Sequence, residues 1–184
     1  LLRSSPSLEV DQAWEALTNI GIFSISASEV RRLGKNPHES VKAPLEWGSE
    51  AYLAQSAGQH ALHCLNAVRK YAYREYYYPS INTSHGGDTS LLSAIDQAHL
   101  SHCLHILLQE LTCTPSMNVI THNWVETQDF PFPDFAINKK CVDHKQLLQW
   151  ESRNSLSDEQ WKEMARRGPA LGEIIKPMPD QLLK

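Results

Sequence analysis

Two pentapeptides share one spelling, HALHC at residues 60–64 and HLSHC at residues 99–103. With nine His and four Cys in 184 residues, chance places roughly 0.01 such HxxHC pentapeptides in a chain, treating positions as independent. Imidazoles and thiols are the side chains that hold transition metals, and thiols also pair as disulfides. The doubled motif therefore points to a metal site, a covalent staple, or both. On a helix, residues three apart share a face one turn apart, so His60 and His63 can reach a common point, as can His99 and His102. If the two faces pack together, four neutral imidazoles meet in the interior.

A buried imidazole has two ring nitrogens to satisfy. For a single His, a hydrogen-bonded core position is the ordinary outcome. For four on facing helices, a metal satisfies one nitrogen of each while an outer acceptor takes the other, and helix bundles build metal sites in this way. The expected ligands are His60, His63, His99 and His102. His105, one turn past His102, and His122, in ITHNW, are further candidates, His105 reading more readily as a rim histidine. All-imidazole ligation suits zinc, copper, iron or nickel, with raw affinity favouring Cu(II) over zinc; thiolates from Cys64 and Cys103 shift the balance toward Cu(I) or zinc. The same two cysteines could equally form a disulfide. Cys103 and Cys113 cannot pair while both are helical, because ten residues of helix span ~15 Å. That leaves 64–103 with 113–141, or 64–113 with 103–141, and 64–141 with 103–113 only if the helix frays. Cys113–Cys141 is the favoured bond, since it would pin the loop segment to the second helix.

The elements that must position these residues read as mostly helical. Ser7 opens SLEVDQAWEAL, with Glu9 and Asp11 in the early positions that favour acids. Ser28 caps a short SEVRRLG turn ended by Gly34. KNPHES and APLEWGSE read as irregular. Two longer helices follow, over about 51–77 and 90–112, separated by the loop PSINTSHGGDTS. MNVITHNWVE reads as a short strand, and DFPFPDF carries too many prolines for regular structure. Helices are expected from Asp143 to Arg153 and from Asp158 to Arg167, the second with a Ser157/Gln160 capping box and a Gly168-Pro169 stop.

On a wheel at 100° per residue, Leu62, Leu65, Val68 and Ala72 lie opposite His60, His63, Cys64, Ala67 and Tyr71 on the first long helix. Leu100, Leu104, Leu107 and Leu111 likewise lie opposite His99, His102, Cys103 and Ile106 on the second. Both helices are thus apolar or His-bearing nearly all round, which predicts elements buried in the middle of a domain. The fold expected is mainly α, one domain over residues 1–184, with irregular loops and a short strand pair. Residues 1–6 read as a linker and 168–184 as an extended tail.

Composition excludes several classes. A net charge of −4 with no basic run gives no reason to propose nucleic acid. No apolar run approaches the ~20 residues of a membrane span. There is no phosphate-cradling Gly-rich loop, no nucleotide fingerprint and no HExxH. The even cysteine count and the sequon Asn82-Thr83-Ser84 suit a secreted, glycosylated chain. The tyrosine run YAYREYYY suits either an aromatic site or the amphipathic end of a core helix.

The stretches HALHCLNAVRKYAYREYY and HLSHCLHILLQELTC resemble the UstYa-like family of fungal proteins from mycotoxin and cyclic-peptide pathways. The matching positions are His60, His63, Cys64, Leu65, Asn66, Arg69 and Lys70, then His99, His102, Cys103, Leu107, Gln109, Leu111 and Cys113. VDQAWEAL resembles the family's N-terminal Asp-x-x-Trp segment, and Trp124, Pro133-Asp134-Phe135, Cys141 and Trp150 its C-terminal stretch. The resemblance covers about residues 8 to 152. It implies an N-terminal transmembrane helix, here removed, with the globular part in the secretory lumen. It also implies oxidative tailoring of a peptide or small molecule: cyclisation, hydroxylation, desaturation or halogenation with O2. Copper is the implied cofactor, with zinc the alternative, on His60, His63, His99 and His102. A homodimer, or a heterodimer with another family member, is the implied assembly. Arg69 would hold a structural carboxylate or the substrate, and its place on the Leu side of the wheel favours structure. His105, Leu108 and Ser116 depart from the family pattern of acids and an Arg, so a non-redox metal-dependent cyclase or isomerase, or a structural subunit, stands as the alternative.

Overall fold

The computed structural model describes residues 1–78, 93–127 and 129–177. Asn82 of the sequon and His85 lie outside the described residues. The described chain is mainly α: helices α1 (Leu8–Thr18), α2 (Ala27–Arg32), α3 (Ala57–Ala72), α4 (Arg74–Tyr77), α5 (Ala94–Cys113), α6 (His144–Asn154) and α7 (Asp158–Arg167). Two antiparallel strand pairs accompany them, β1 (Ile22–Ser26) with β2 (Ala51–Gln55), and β3 (His122–Asn123) with β4 (Phe132–Pro133). No helix among the described residues is long and apolar enough to cross a membrane.

The helix ends follow from side-chain chemistry. Ser7 accepts from Val10 N–H at the start of α1, and Ser56 accepts from Gln59 N–H at the start of α3, each satisfying a donor that the first turn leaves orphaned. The Ser157/Gln160 capping box opens α7, and Gly168 closes it at φ 68°, a conformation that costs glycine little. The α2 cap is Ser26 rather than the expected Ser28: Ser26 and Glu29 form a reciprocal capping box, which Ser28, one residue inside the helix, cannot do.

The first long helix is corrected at its beginning. Residues 51–55 form β2, paired with β1 in the register Ile22↔Gln55 to Ser26↔Ala51, and Tyr73 interrupts the helical run before α4. Against this ribbon pack Ala27 and Val30 of α2, with Tyr52 and Ile25. The α6 end is stitched to β1 by Leu156 N–H donating to Ile22 O at 2.7 Å and by an edge-on Phe23–Trp150 contact. Gly21 permits that approach, since a Cβ there would meet Ser155 Oγ at 2.3 Å. The strand expected in MNVITHNWVE shrinks to His122–Asn123, because only this dipeptide finds a partner. The tail beyond Gly168 lies back on the body, Glu173 accepting from Lys42 N–H and Lys176 pairing with Glu39.

One packing expectation is overturned. α5 packs extensively on α3, but half of the stripe predicted to be core faces solvent: Leu104 is 53% and Leu111 73% exposed, while Leu100 and Leu107 are half-buried. Among the described residues α3 is the main neighbour of α5, and the face it covers carries the His and Cys residues.

Candidate metal centre

α3 presents two faces to two helices, and their chemistry differs. Toward α1 it offers a polar ladder. Gln59, fully buried, donates to Leu17 O at 2.7 Å and Asn19 O at 2.9 Å, closing the end of α1. Asn66 donates to Thr18 Oγ1, and Arg69 donates to Asn66 Oδ1 at 2.9 Å and to Asp11 Oδ1 at 2.7 Å. The Arg69 guanidinium lies between the rings of Trp14 and Tyr77, and Tyr77 also donates to Asp11. Arg69 is therefore structural, as its wheel position predicted. Sequence reasoning missed Gln59 and gave Tyr77 no individual role; Asp11-x-x-Trp14 was the visible signal for the other half of this latch.

Toward α5 the same helix offers imidazoles. His60 faces His102 with ring centroids 5.5 Å apart, and His63 faces His99 at 5.8 Å, both pairs tilted by 46°. The order of these pairs shows that α3 and α5 run antiparallel. Along α3, His60 and His63 lie 6.3 Å apart with planes only 11° from parallel. A metal–nitrogen bond of about 2.0 Å puts an ion about 3.2 Å from a ring centroid, so two rings on one ion lie at most about 6.4 Å apart; the cross-helix pairs fall well inside that reach and the same-helix pair at its limit. Ring lone pairs also lie in the ring plane, so near-parallel rings do not converge. The shortest ring-to-ring distances are thus the cross-helix ones, His60 with His102 and His63 with His99. Among the described residues, no three His, Cys, Asp or Glu side chains are gathered where a single ion could be held by all of them.

Electrostatics prepares the rings. Burial lowers the His60 pKa below its ordinary value, with His102 and His99 adding to the effect; burial lowers His63 as well, helped by His99, His60 and Lys70. Both are neutral donors at neutral pH, the form that binds metal. His99 is exposed, so the cluster opens to solvent on that side. Cys64 and Cys103 sit at 0% exposure behind the rings, with Cys103 Sγ 3.5 Å from His99 Nε2. Burial, a hydrogen bond with Cys64 and its charge push the Cys103 thiol up to about 12.

The remaining candidates fall elsewhere. His105 is exposed on α5 and His122 is exposed in β3, and neither joins the cluster. Cys113 and Cys141 are exposed free thiols. Cavities of about 750 Å³ beside α6 and about 400 Å³ beneath α7 are not lined by the four histidines. His144 and Glu151, which sequence reasoning left without a role, each bury a polar atom with no hydrogen-bond partner.

The family model described as mycotoxin biosynthesis protein UstYa matches residues 1–154, which include both histidine motifs and the α1 latch. The chain belongs to the UstYa family. This UstYa-family chain is 35% identical over 161 residues to the UstYa family oxidase aprY of Aspergillus flavus, covering 85% of this chain and 47% of that protein. It is 24% identical over 156 residues to the UstYa family oxidase phomYc of Diaporthe leptostromiformis, covering 84% of this chain and 59% of the relative. The chain thus spans about half the length of the curated relatives it matches. No solved structure matches it.

Proposed function

We propose that this chain carries the metal centre of a copper-dependent oxidase or oxygenase that tailors a fungal peptide or small molecule with O2. The observation that carries the reading is the pair of cross-helix imidazole clamps, His60 with His102 and His63 with His99, at centroid distances of 5.5 and 5.8 Å. Two imidazole nitrogens per clamp fit a copper ion and leave positions on it open, whereas a structural zinc site takes four protein donors and closes. The relatives' description as oxidases supports the redox reading.

Bound copper supplies one-electron chemistry and activation of O2. The protein's own contributions are separable. His60 and His63 stay neutral through burial and so keep a nitrogen lone pair available. Cys103, beside His99 Nε2, steadies the His99 ring. The open side at His99 suits a bulky substrate such as a peptide, which an enclosed cavity would exclude. The latch of Arg69 to Asp11 positions α3, and with it two of the four rings. An oxidising secretory lumen is the compartment this reading places the domain in.

The test is elemental analysis after copper loading and desalting, beside a His60→Ala/His102→Ala variant. Copper retained by the parent and lost by a folded variant supports the reading. Zinc retained in place of copper, or no metal in either protein, overturns it.

A further inference from the structure

Beside the two histidine clamps lies a second pair of reactive groups. Cys64 of α3 and Cys103 of α5 are both at 0% exposure, and with Gln59 they are the largest fully buried side chains among the described residues. They sit on the facing sides of α3 and α5, each one residue after a clamp histidine, and Cys64 is close enough to help raise the Cys103 pKa. Both are present as thiols in the structure. We propose that Cys64 and Cys103 close as a disulfide that locks α3 to α5 and fixes the spacing of the facing histidines.

The other pairings are disfavoured by position. Cys113 lies ten residues further along α5 than Cys103, about 15 Å of helix away, and is exposed, as is Cys141. The four thiols therefore divide into two buried at the α3–α5 interface and two at the surface. The bond would close a loop containing the whole α3–α5 connection, the kind of constraint that restricts the unfolded chain. It would also withdraw both sulfurs from metal ligation and leave the imidazoles as the donors, so it is independent of which metal they hold.

The step balances against an exogenous disulfide, either glutathione disulfide or an oxidised dithiol protein of the compartment. Cys64 and Cys103 give up two protons and two electrons as their S–S bond forms; the acceptor's S–S bond breaks and leaves as two thiols. Since neither sulfur is reachable once the helices are packed, the exchange takes place before the interface closes.

The experiment uses the full chain secreted from a eukaryotic host. It is unfolded in denaturant with a strong chelator and an alkylating reagent, without reductant, so that metal-held thiols are released and labelled. Digestion after Lys, Arg and Glu separates Cys103 from Cys113 at Glu110, and the peptides are weighed. The expected result is one cross-linked species joining the Cys64 and Cys103 peptides, lost on reduction. A Cys113→Ser/Cys141→Ser variant, which leaves the buried pair intact, should show no free thiol. Alkyl label on both Cys64 and Cys103, a cross-link from either to Cys113 or Cys141, or two free thiols in the variant overturns the proposal.

Discussion

Glu151 shows how a single side chain can oppose the fold that holds it. It is 3% exposed, and its Oε1 has no hydrogen-bond partner. Burial raises its pKa above the ordinary 4.5, with His144 pulling the other way. A carboxyl whose pKa is higher in the folded state than in the unfolded chain binds its proton more tightly when native. Stability then falls as pH rises through the unfolded value toward the folded one. Glu151→Gln removes the titration and keeps the shape. We expect the variant to be more stable than the parent at neutral pH, by about 1 kcal/mol, and the gap to close below the ordinary carboxylate range. Thermal melts across that interval check it; a variant less stable at neutral pH would show that Glu151 is ionised and partnered. The histidines make the contrasting case, since burial there keeps the lone pairs that metal binding uses.

At the scale of elements, the seat of α1 on α3 is a polar latch. Arg69 and Asp11 are mostly buried, at 9% and 20% side-chain exposure. Removing one partner strands the other, so Arg69→Ala should cost about 3–5 kcal/mol, read as a lower denaturant midpoint. Asp11 adds a pH signature. Burial pushes its pKa up, but hydrogen bonds from Tyr77 and Arg69, with the charges of Arg69 and Lys70, outweigh this and hold it below the ordinary 3.8. A depressed carboxyl contributes stability that is full above its unfolded pKa and is lost as pH falls through the folded one. The parent should therefore lose stability more steeply in acid than Asp11→Asn, which begins weaker; parallel acid limbs would show that the latch does not titrate. Much of this arrangement was legible. HxxHC at helical spacing placed His60, His63, His99 and His102 on facing helices, and the wheel put Arg69 on a structural side. β2 was hidden because AYLAQ runs into AGQHALHC with only Ser56 between them, and nothing local in that stretch marks a strand that forms only by pairing with β1. The α5 leucines misled because periodicity records an apolar face without saying whether anything covers it. Sequence spacing places the histidines on one face of each helix, and the antiparallel crossing of α3 and α5 shows which ring faces which.

For the whole molecule, the consequence is that α5 is held from one side. Its extensive packing among the described residues is on α3, while α1 also packs on α3 and α2 packs on the β1–β2 ribbon. Opening of α5 should therefore cost less than global unfolding, as in proteins whose substructures open independently. Metal held in a clamp binds only when α5 is closed, because each clamp takes one ring from α3 and one from α5, so it stabilises that closure by mass action. At a free copper concentration a hundredfold above Kd the effect is about 2.7 kcal/mol. Hydrogen exchange should then slow by about 100-fold in α5 amides that exchange through this opening. Amides of β1 and β2, whose exchange does not require α5 to leave, should keep their rates. Uniform slowing would mean that α5 opens only with the whole chain, and no slowing would mean that the clamps hold no copper. A Cys64–Cys103 bond acts on the same interface by limiting how far α5 can depart. The copper effect on α5 should accordingly be larger after reduction than before it.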